Sequence, residues 1–250
     1  LIIGRVSILK NLRRCVAKAG FAVEDLAYQP VASSLSVLTE DEKNIGVALV
    51  DIGGETTSVL VFYEGSIFHS ETIGIGGEDI TRDINHYFQT PLENAENLKK
   101  YSGSTWLDTV DPEEPLEVVR FKNRRTITVK RRLLCEIIDA RVEQILEEVI
   151  RSLRSRDLMG VMYGGIVLTG GSSLLDGIRE KTQDQFQRDT HIGFPNGVAG
   201  YEEIVASPSY ASVIGLLHYG YERRDAQTAV YGTGWTGLAR RAWRWLQETF

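Results

Sequence analysis

Cysteine is nearly absent from this 250-residue chain: Cys15 and Cys135 are the only two, and they show no metal-ligand spacing. That excludes a disulfide framework and a cysteine-built metal centre, and the usage suits a reduced cytoplasm. Histidine is also scarce, at four, with no ligand pattern. No apolar run is long enough to cross a bilayer as a helix. An excess of positive charge is missing too: 28 basic against 34 acidic residues give a net charge of −6, which argues against general nucleic-acid binding. There is no internal repeat and no low-complexity tract. What is there is ordinary globular usage, 42% hydrophobic and 25% charged, in a chain able to bury a large core and divide into lobes.

Two glycine turns stand out. Val47-Ala48-Leu49-Val50-Asp51-Ile52 leads into Gly53-Gly54-Glu55 and returns through Thr56-Thr57-Ser58 to Val59-Leu60-Val61-Phe62. The pattern predicts a β-hairpin. At its tip Gly53 and Gly54 supply φ freedom and let backbone N–H groups approach an anion. Asp51 sets a carboxylate at the mouth, where it could hold Mg²⁺ through water, and Thr56 and Thr57 add hydroxyls. An ordinary tight hairpin has the same Gly-Gly turn, so this motif alone leaves both readings open. The second turn is Ile166-Val167-Leu168-Thr169-Gly170-Gly171-Ser172-Ser173, an apolar strand into Thr-Gly-Gly. A helix is expected over 172–187, capped by Ser172 or Ser173. Such a turn suits the adenosine or phosphate end of a nucleotide. Two of them, more than one hundred residues apart, suggest one cleft built from two places.

Periodicity and breakers place the rest. A helix is expected over 9–20, where Leu12, Val16 and Ala19 share a face and Gly20 signals the C-cap. A short strand is expected over 22–28 and a helix from Pro30 to Leu38. Strands at 47–52, 57–63 and 66–74 precede helices at 80–88 and 93–101. The stretch 103–115 reads as a loop, 116–121 and 125–129 as a hairpin, and 130–153 as a long helix. A strand at 166–168 and a helix at 208–219 follow, with a polar tether over 221–234. Strands and helices in this order make an α/β fold.

The chain resembles the actin-like ATPase superfamily, which includes actin, sugar kinases and heat-shock chaperone ATPases, and within it the FtsA family of bacterial cell division. The resemblance rests on Glu42-Lys43-Asn44-Ile45-Gly46-Val47 leading into Asp51-Ile52-Gly53-Gly54, on Ile75-Gly76-Gly77-Glu78-Asp79-Ile80-Thr81-Arg82-Asp83-Ile84, and on Ile138-Asp139-Ala140-Arg141-Val142-Glu143-Gln144-Ile145-Leu146. Val167-Leu168-Thr169-Gly170-Gly171 and Ser207-Pro208-Ser209-Tyr210-Ala211-Ser212-Val213-Ile214-Gly215-Leu216-Leu217 complete it, in the family's order over most of residues 10–220. It implies an actin-like ATPase fold, mixed sheets flanked by helices, that binds ATP and Mg²⁺ between lobes. The chain opens on Leu1-Ile2-Ile3-Gly4. By the family's pattern it corresponds to the C-terminal two-thirds, the first phosphate loop and a self-association subdomain lying upstream. The implied division is the remainder of a first lobe at 1–42, a second-lobe core at 43–79 and 163–220, an inserted subdomain at 80–162, a linker at 221–234 and an amphipathic helix at 235–250.

The resemblance also carries roles. Asp51 matches the Mg²⁺-associated carboxylate, Gly53, Gly54 and Thr56 the phosphate cradle, and Gly170, Gly171 and Ser172 the adenosine motif. Glu55 stands where the family more often has a small residue, and its charge would repel a γ-phosphate unless it points away. Glu96 and Lys99, on one helix face, match a pair that brackets the ribose; a solvated ion pair is the plain alternative. Gln29, before Pro30, matches the residue that orients the attacking water, or marks a strand-to-helix junction. With Asp51 it forms the expected catalytic set. An amide holds a water but is no strong base, which fits slow or regulatory hydrolysis.

The tail carries a further signal. At about 100° per residue, Trp235, Leu238, Ala239, Ala242, Trp243, Trp245, Leu246 and Phe250 fall within roughly 160°, and Arg240, Arg241, Arg244, Gln247 and Glu248 lie opposite. Trp suits the headgroup boundary and Arg an anionic lipid surface; a helix docked on the protein's own core is the alternative. The resemblance implies a membrane-targeting helix at the cytoplasmic face of the bacterial inner membrane, at the division site. It also implies self-association into polymers, contact with other divisome proteins, and receipt of the acidic-apolar C-terminal tail of the tubulin-like FtsZ around residues 78–160. Arg124, Arg125, Arg131, Arg132 and Lys100 are candidates for that contact, or a solvated charge run. Nucleotide would then shift conformation and assembly rather than transform a small substrate. A pilus-assembly adaptor of the PilM type and a kinase- or chaperone-type enzyme are the alternatives within the superfamily.

Overall fold

β1 (Val47–Ile52) is the strand around which the chain is organised, and all six of its residues are buried. The computed structural model describes residues 5–121, 125–198 and 206–231. On one side β1 pairs antiparallel with β2 (Thr57–Tyr63), Val47 opposite Phe62. On the other it pairs parallel with β6 (Ile166–Thr169), Asp51 opposite Thr169. β3 (Ser66–Ile73) and β7 (Thr190–Ile192) complete the order β3-β2-β1-β6-β7. A parallel pair needs a crossover. Here it holds α4 (Gly77–Phe88), α5 (Leu92–Ser102), the two-stranded hairpin β4 (Pro115–Val119) and β5 (Thr126–Lys130), and α6 (Arg131–Arg154). The consequence for function is that the C-terminal ends of β1 and β6, each followed by a glycine turn, lie side by side.

Side chains alternate across the sheet. Ala48, Val50, Ile52, Val59, Val61, Ile166 and Leu168 join Ile80, Ile84 and Phe88 of α4 and the α6 stripe Leu134, Ile138, Val142, Ile145, Val149 and Leu153 in one core. The stripe's spacing of three and four residues is helical. Val47, Leu49, Leu60, Phe62 and Val167 form a second core with Val37 of α2 (Gln29–Val37), Leu38 and Ala211 of the last described helix. A strand covered on both faces reads as a continuous apolar run, and each Val, Leu, Ile or Phe so buried stabilises by roughly 1.5–3 kcal/mol. Between α2 and β1, α3 (Glu40–Ile45) starts on a reciprocal cap: Thr39 N–H donates to Glu42 Oε2 at 2.7 Å and Glu42 N–H to Thr39 Oγ1 at 3.3 Å.

Three expectations are corrected. Residues 22–28 form no strand; a strand requires a ladder, and among the described residues none pairs with them. The helix expected from Ser172 starts later: Gly171–Leu174 is a 3₁₀ turn, and α7 (Ile178–Phe186) follows Gly177, at φ +76°. The tie responsible is Asp176 O, which accepts from Thr105 N–H at 2.8 Å and Thr105 Oγ1–H at 3.0 Å, while Ser173 Oγ–H turns back to Gly170 O at 2.7 Å. Third, where a tether was expected from 221, α8 runs over Ala211–Tyr231. Residues 221–231 contain neither Gly nor Pro, and the breakers come only at Gly232 and Gly234. α1 (Val6–Lys18) forms about as expected, but none of its residues is buried. Arg124 and the whole segment from Trp235 to Phe250 lie outside the described residues. No described helix is long and apolar enough to cross a membrane.

Candidate functional site

Three Gly-Gly turns converge. Gly53-Gly54 forms the tip between β1 and β2, Gly76-Gly77 opens α4, and Gly170-Gly171 follows β6. Gly77 N–H donates to Gly53 O at 2.9 Å and Glu78 N–H to Gly54 O at 2.7 Å, so the first turn of α4 is docked on the hairpin tip. The packing is backbone to backbone. A Cβ on Gly76 would meet Gly54 O at 2.4 Å, one on Gly77 would meet Ser172 Oγ at 2.2 Å, and one on Gly170 would meet Asp51 Oδ1 at 2.5 Å. Gly170 also has φ +84°, which disfavours any other residue. Gly53 N–H closes the tip on Thr56 O at 2.9 Å. Among the described residues the N–H groups of Gly54, Glu55, Gly171 and Ser172 have no acceptor. The two predicted turns thus present unpaired donors close together, the arrangement that binds phosphate oxygens. Glu55 is exposed.

Beside the turns lies a cavity of about 940 Å³. Gly53, Gly54, Gly171, Ser172 and Ser209 line one wall, Thr81, Arg82, Glu96, Lys99 and Lys100 another, and Leu92, Leu174 and Leu175 supply apolar surface. Its size and its mix of apolar wall and few polar groups suit a small organic ligand. Lys99 is no solvated partner: it is 7% exposed. Its ammonium donates to Gly77 O and Thr81 Oγ1, each at 2.9 Å, and meets Glu96 Oε2 at 2.6 Å. Burial pushes the Glu96 carboxyl up, but hydrogen bonds from Lys99 and Thr81, the Lys99 charge and Lys100 outweigh it and hold it at about 2. Glu96 therefore stays ionised in the cavity wall, fixed by α4 and α5 together.

Asp51 and Gln29 sit behind the turns rather than in the cavity. Asp51 is 4% exposed. Its Oδ2 accepts from Ser33 Oγ–H at 2.8 Å and Gln29 Nε2–H at 3.4 Å, and its Oδ1 lies against the Gly170 turn. Burial outweighs the bonds from Ser33 and Gln29, which pull the other way, and raises the carboxyl above its ordinary value. An acidic oxygen left to one side of a phosphate-type loop fits a hydrated Mg²⁺.

Sequence reasoning gave no role to Gly76-Gly77, Thr81, Arg82, Ser33 or Ser212. A Gly-Gly directly before an amphipathic helix was a signal available for the first of these; the partners of the serines are remote in sequence and left none. Of the expected partner-facing cations, Arg131 donates to Ser102 O at 2.7 Å and pairs with Glu114 at 2.8 Å. Arg132 pairs with Glu136 at 3.2 Å and Lys100 with Glu96 at 3.1 Å. Arg125 is exposed at the β4–β5 turn. Between that hairpin and α6 is a second cavity of about 620 Å³, with Pro115, Val129 and Leu133 flanked by Lys130, Arg132, Glu113 and Glu136.

Comparison with known proteins fits this geometry. The model of the family "Cell division protein FtsA" matches residues 48–215. The FtsA of Bacillus subtilis (strain 168) is 39% identical over 221 residues, covering 88% of this chain and 48% of the relative. That of Neisseria meningitidis serogroup B is 35% identical over 257 residues, covering 100% and 62%. The chain thus spans about half to three-fifths of the curated relatives it matches. Among solved structures, MreB5 of Spiroplasma citri bound to ADP superposes with a TM-score of 0.72 at 19% identity, covering 92% of this chain and 69% of that one. A PilM–PilN type IV pilus biogenesis complex gives a TM-score of 0.64 at 18% identity, covering 85% and 57%. At such identities the likeness is one of fold, and the fold is the actin-like ATPase fold.

Proposed function

This chain belongs to the FtsA family of cell-division proteins, and from that premise we propose that it is part of an ATP- and Mg²⁺-binding, actin-like adaptor. The adaptor holds FtsZ filaments to the cytoplasmic face of the cell membrane, associates with its own kind and helps recruit the divisome. The observation that carries the nucleotide reading is the meeting of the three glycine turns beside a cavity with an ionised, clamped Glu96. In this reading the amides of Gly54, Glu55, Gly171 and Ser172 receive phosphate oxygens, and Glu96 accepts from sugar hydroxyls. Asp51 would hold Mg²⁺ through water, and the cation would supply charge neutralisation on the phosphates. Gln29, whose amide nitrogen is held by Asp51 and Ser212, is the group we propose to orient a water. Nothing in the set is a strong base, so the reading is slow hydrolysis coupled to assembly.

We assign 43–79 and 163–220 to one subdomain and 80–162 to another, with 1–42 preceding them; the single β1–β6 sheet and the separate β4–β5 hairpin support this. The groove along that hairpin offers the apolar surface of Pro115, Val129 and Leu133, and its cations Lys130 and Arg132 are paired with Glu113 and Glu136; we propose that the FtsZ tail docks there, its acidic groups exchanging with these glutamates. The membrane role rests on the pattern from Trp235 to Phe250.

The nucleotide reading is tested by titrating a fluorescent ATP analogue with and without Mg²⁺ against the chain and its Gly171→Val form, which adds bulk beside Ser209 in the cavity wall. Saturable, Mg²⁺-dependent binding that the variant loses is expected; no binding, or equal binding by both, sinks the reading. Flotation with anionic vesicles, comparing the chain with a form ending at Gly234, tests the membrane role. Vesicle binding by the shorter form would remove it.

A further inference from the structure

α2 presents a buried hydroxyl face. Ser33, Ser34 and Ser36 are 0%, 1% and 0% exposed, at positions where packing alone would be met by Ala. A buried hydroxyl is unfavourable unless paired, and each is paired. Ser34 Oγ–H donates within its own helix, to Val31 O at 2.7 Å. The other two reach different elements: Ser36 Oγ–H donates to Ala211 O of α8 at 2.7 Å, and Ser33 Oγ–H to Asp51 Oδ2 of β1 at 2.8 Å. Ser212 Oγ of α8 lies 2.8 Å from Ser33 Oγ. With the Ser33 proton directed at a carboxylate, Ser212 must be the donor to Ser33. The chain Ser212 to Ser33 to Asp51 is therefore directional, and Gln29 Nε2 donates to both its ends, at 3.2 Å to Ser212 Oγ and 3.4 Å to Asp51 Oδ2.

Gly215 explains how the hydroxyls come so close. A Cβ there would lie 1.7 Å from Ala32 O, so the backbones of α2 and α8 touch. Ser212, almost one turn before Gly215, is thereby set against Ser33.

We propose that Ser33 and Ser212 are positioning residues that hold Asp51 and Gln29 in place and carry the state of the Asp51 carboxylate to α8. The inference deepens the nucleotide reading of the same site and takes its functional meaning from it. A charged acceptor strengthens the bond to it and polarises the next bond in line. With part of its charge taken up by a bound cation, Asp51 would hold Ser33, and through it Ser212, less firmly. The first turns of α8 would then loosen on α2.

The test is amide hydrogen exchange in the nucleotide-free chain. Asp51→Asn removes the charge and keeps the shape, and is expected to speed exchange at residues 213–217 by about tenfold. With Ser212→Ala in the background the same substitution should change it by less than about twofold, the bond it acts through being gone. Ser212→Thr, which restores the hydroxyl, should recover the response. Ser33→Ala is a second background that must give the same loss, and serves if Ser212→Ala does not fold. An equal response with and without either hydroxyl, or none at all, overturns the proposal. The ATP-analogue titration separates the two readings. Absent binding with the exchange coupling intact removes the nucleotide reading and leaves the network, and binding without coupling removes the network alone.

Discussion

Gly170 and its neighbour Gly171 show how unlike two adjacent glycines can be. Gly170 has φ +84°, and a Cβ would lie 2.5 Å from Asp51 Oδ1 and 2.6 Å from Ile52 O. Gly171 would meet only Ser209 Oγ, at 3.3 Å. Gly170→Ala is therefore expected to lower unfolding free energy by about 2–4 kcal/mol, and Gly171→Ala by less than about 1 kcal/mol, as read by urea denaturation. Glu96 yields a second prediction at this scale. Its folded value of about 2 lies below the ordinary 4.5, so its contribution to stability is fully present above the ordinary value and fades as pH falls through the folded one. The difference in melting temperature between the chain and Glu96→Gln should be steady from neutral pH to about pH 5 and shrink steadily below it. A gap that widens in acid would contradict the clamp formed by Lys99, Thr81 and Lys100.

At the scale of elements, the α2–α8 crossing is the most exacting contact. Gly215→Ala puts a methyl 1.7 Å from Ala32 O, a backbone atom that cannot swing away. A loss of at least about 3 kcal/mol is expected, with tryptophan-independent far-UV circular dichroism following denaturation. Ala at the open Gly220 of the same helix, which has nothing within 4 Å, should instead be neutral or stabilising. The same elements show what the sequence could reveal. β1 and β2 were legible because apolar runs bounded by a Gly-Gly turn have one reading when both faces are covered. The strand expected at 22–28 failed because a strand exists only with a partner, which local pattern does not contain. The start of α7 was misplaced because Thr105, about seventy residues upstream, ties up Asp176 (|i−j| of 71). In the site, two of the three glycine turns were legible from local wording. The Ser33–Ser212 contact, 179 residues apart, was not, because an apolar helix containing serines looks the same whether its hydroxyls bond locally or bridge elements.

At the scale of the whole molecule, the proposed duties separate along the chain. Every residue lining the cavity beside the glycine turns precedes position 210, whereas the membrane reading rests on Trp235 to Phe250. If the duties are independent, each can be removed without the other. Arg240, Arg241 and Arg244 share the polar face of the tail pattern. A basic residue near an anionic surface contributes about 1 kcal/mol, so neutralising three amounts to about 3 kcal/mol, on the order of a hundredfold in vesicle affinity. Replacing all three by Gln should produce that loss on vesicles rich in anionic lipid and almost none on neutral vesicles. Raising salt from 0.1 M toward 1 M, where the screening length falls from about 10 Å to 3 Å, should bring the unaltered chain down toward the variant. Binding of the ATP analogue should stay within about twofold in both forms, being set by turns that end at Ser172 and a wall that ends at Ser209. An equal loss on neutral and anionic vesicles would mean that Trp235, Trp243, Trp245 and Phe250 carry the attachment and the arginines only orient the helix. A parallel loss of nucleotide would mean that the tail returns to the site, and the separation of duties would be wrong.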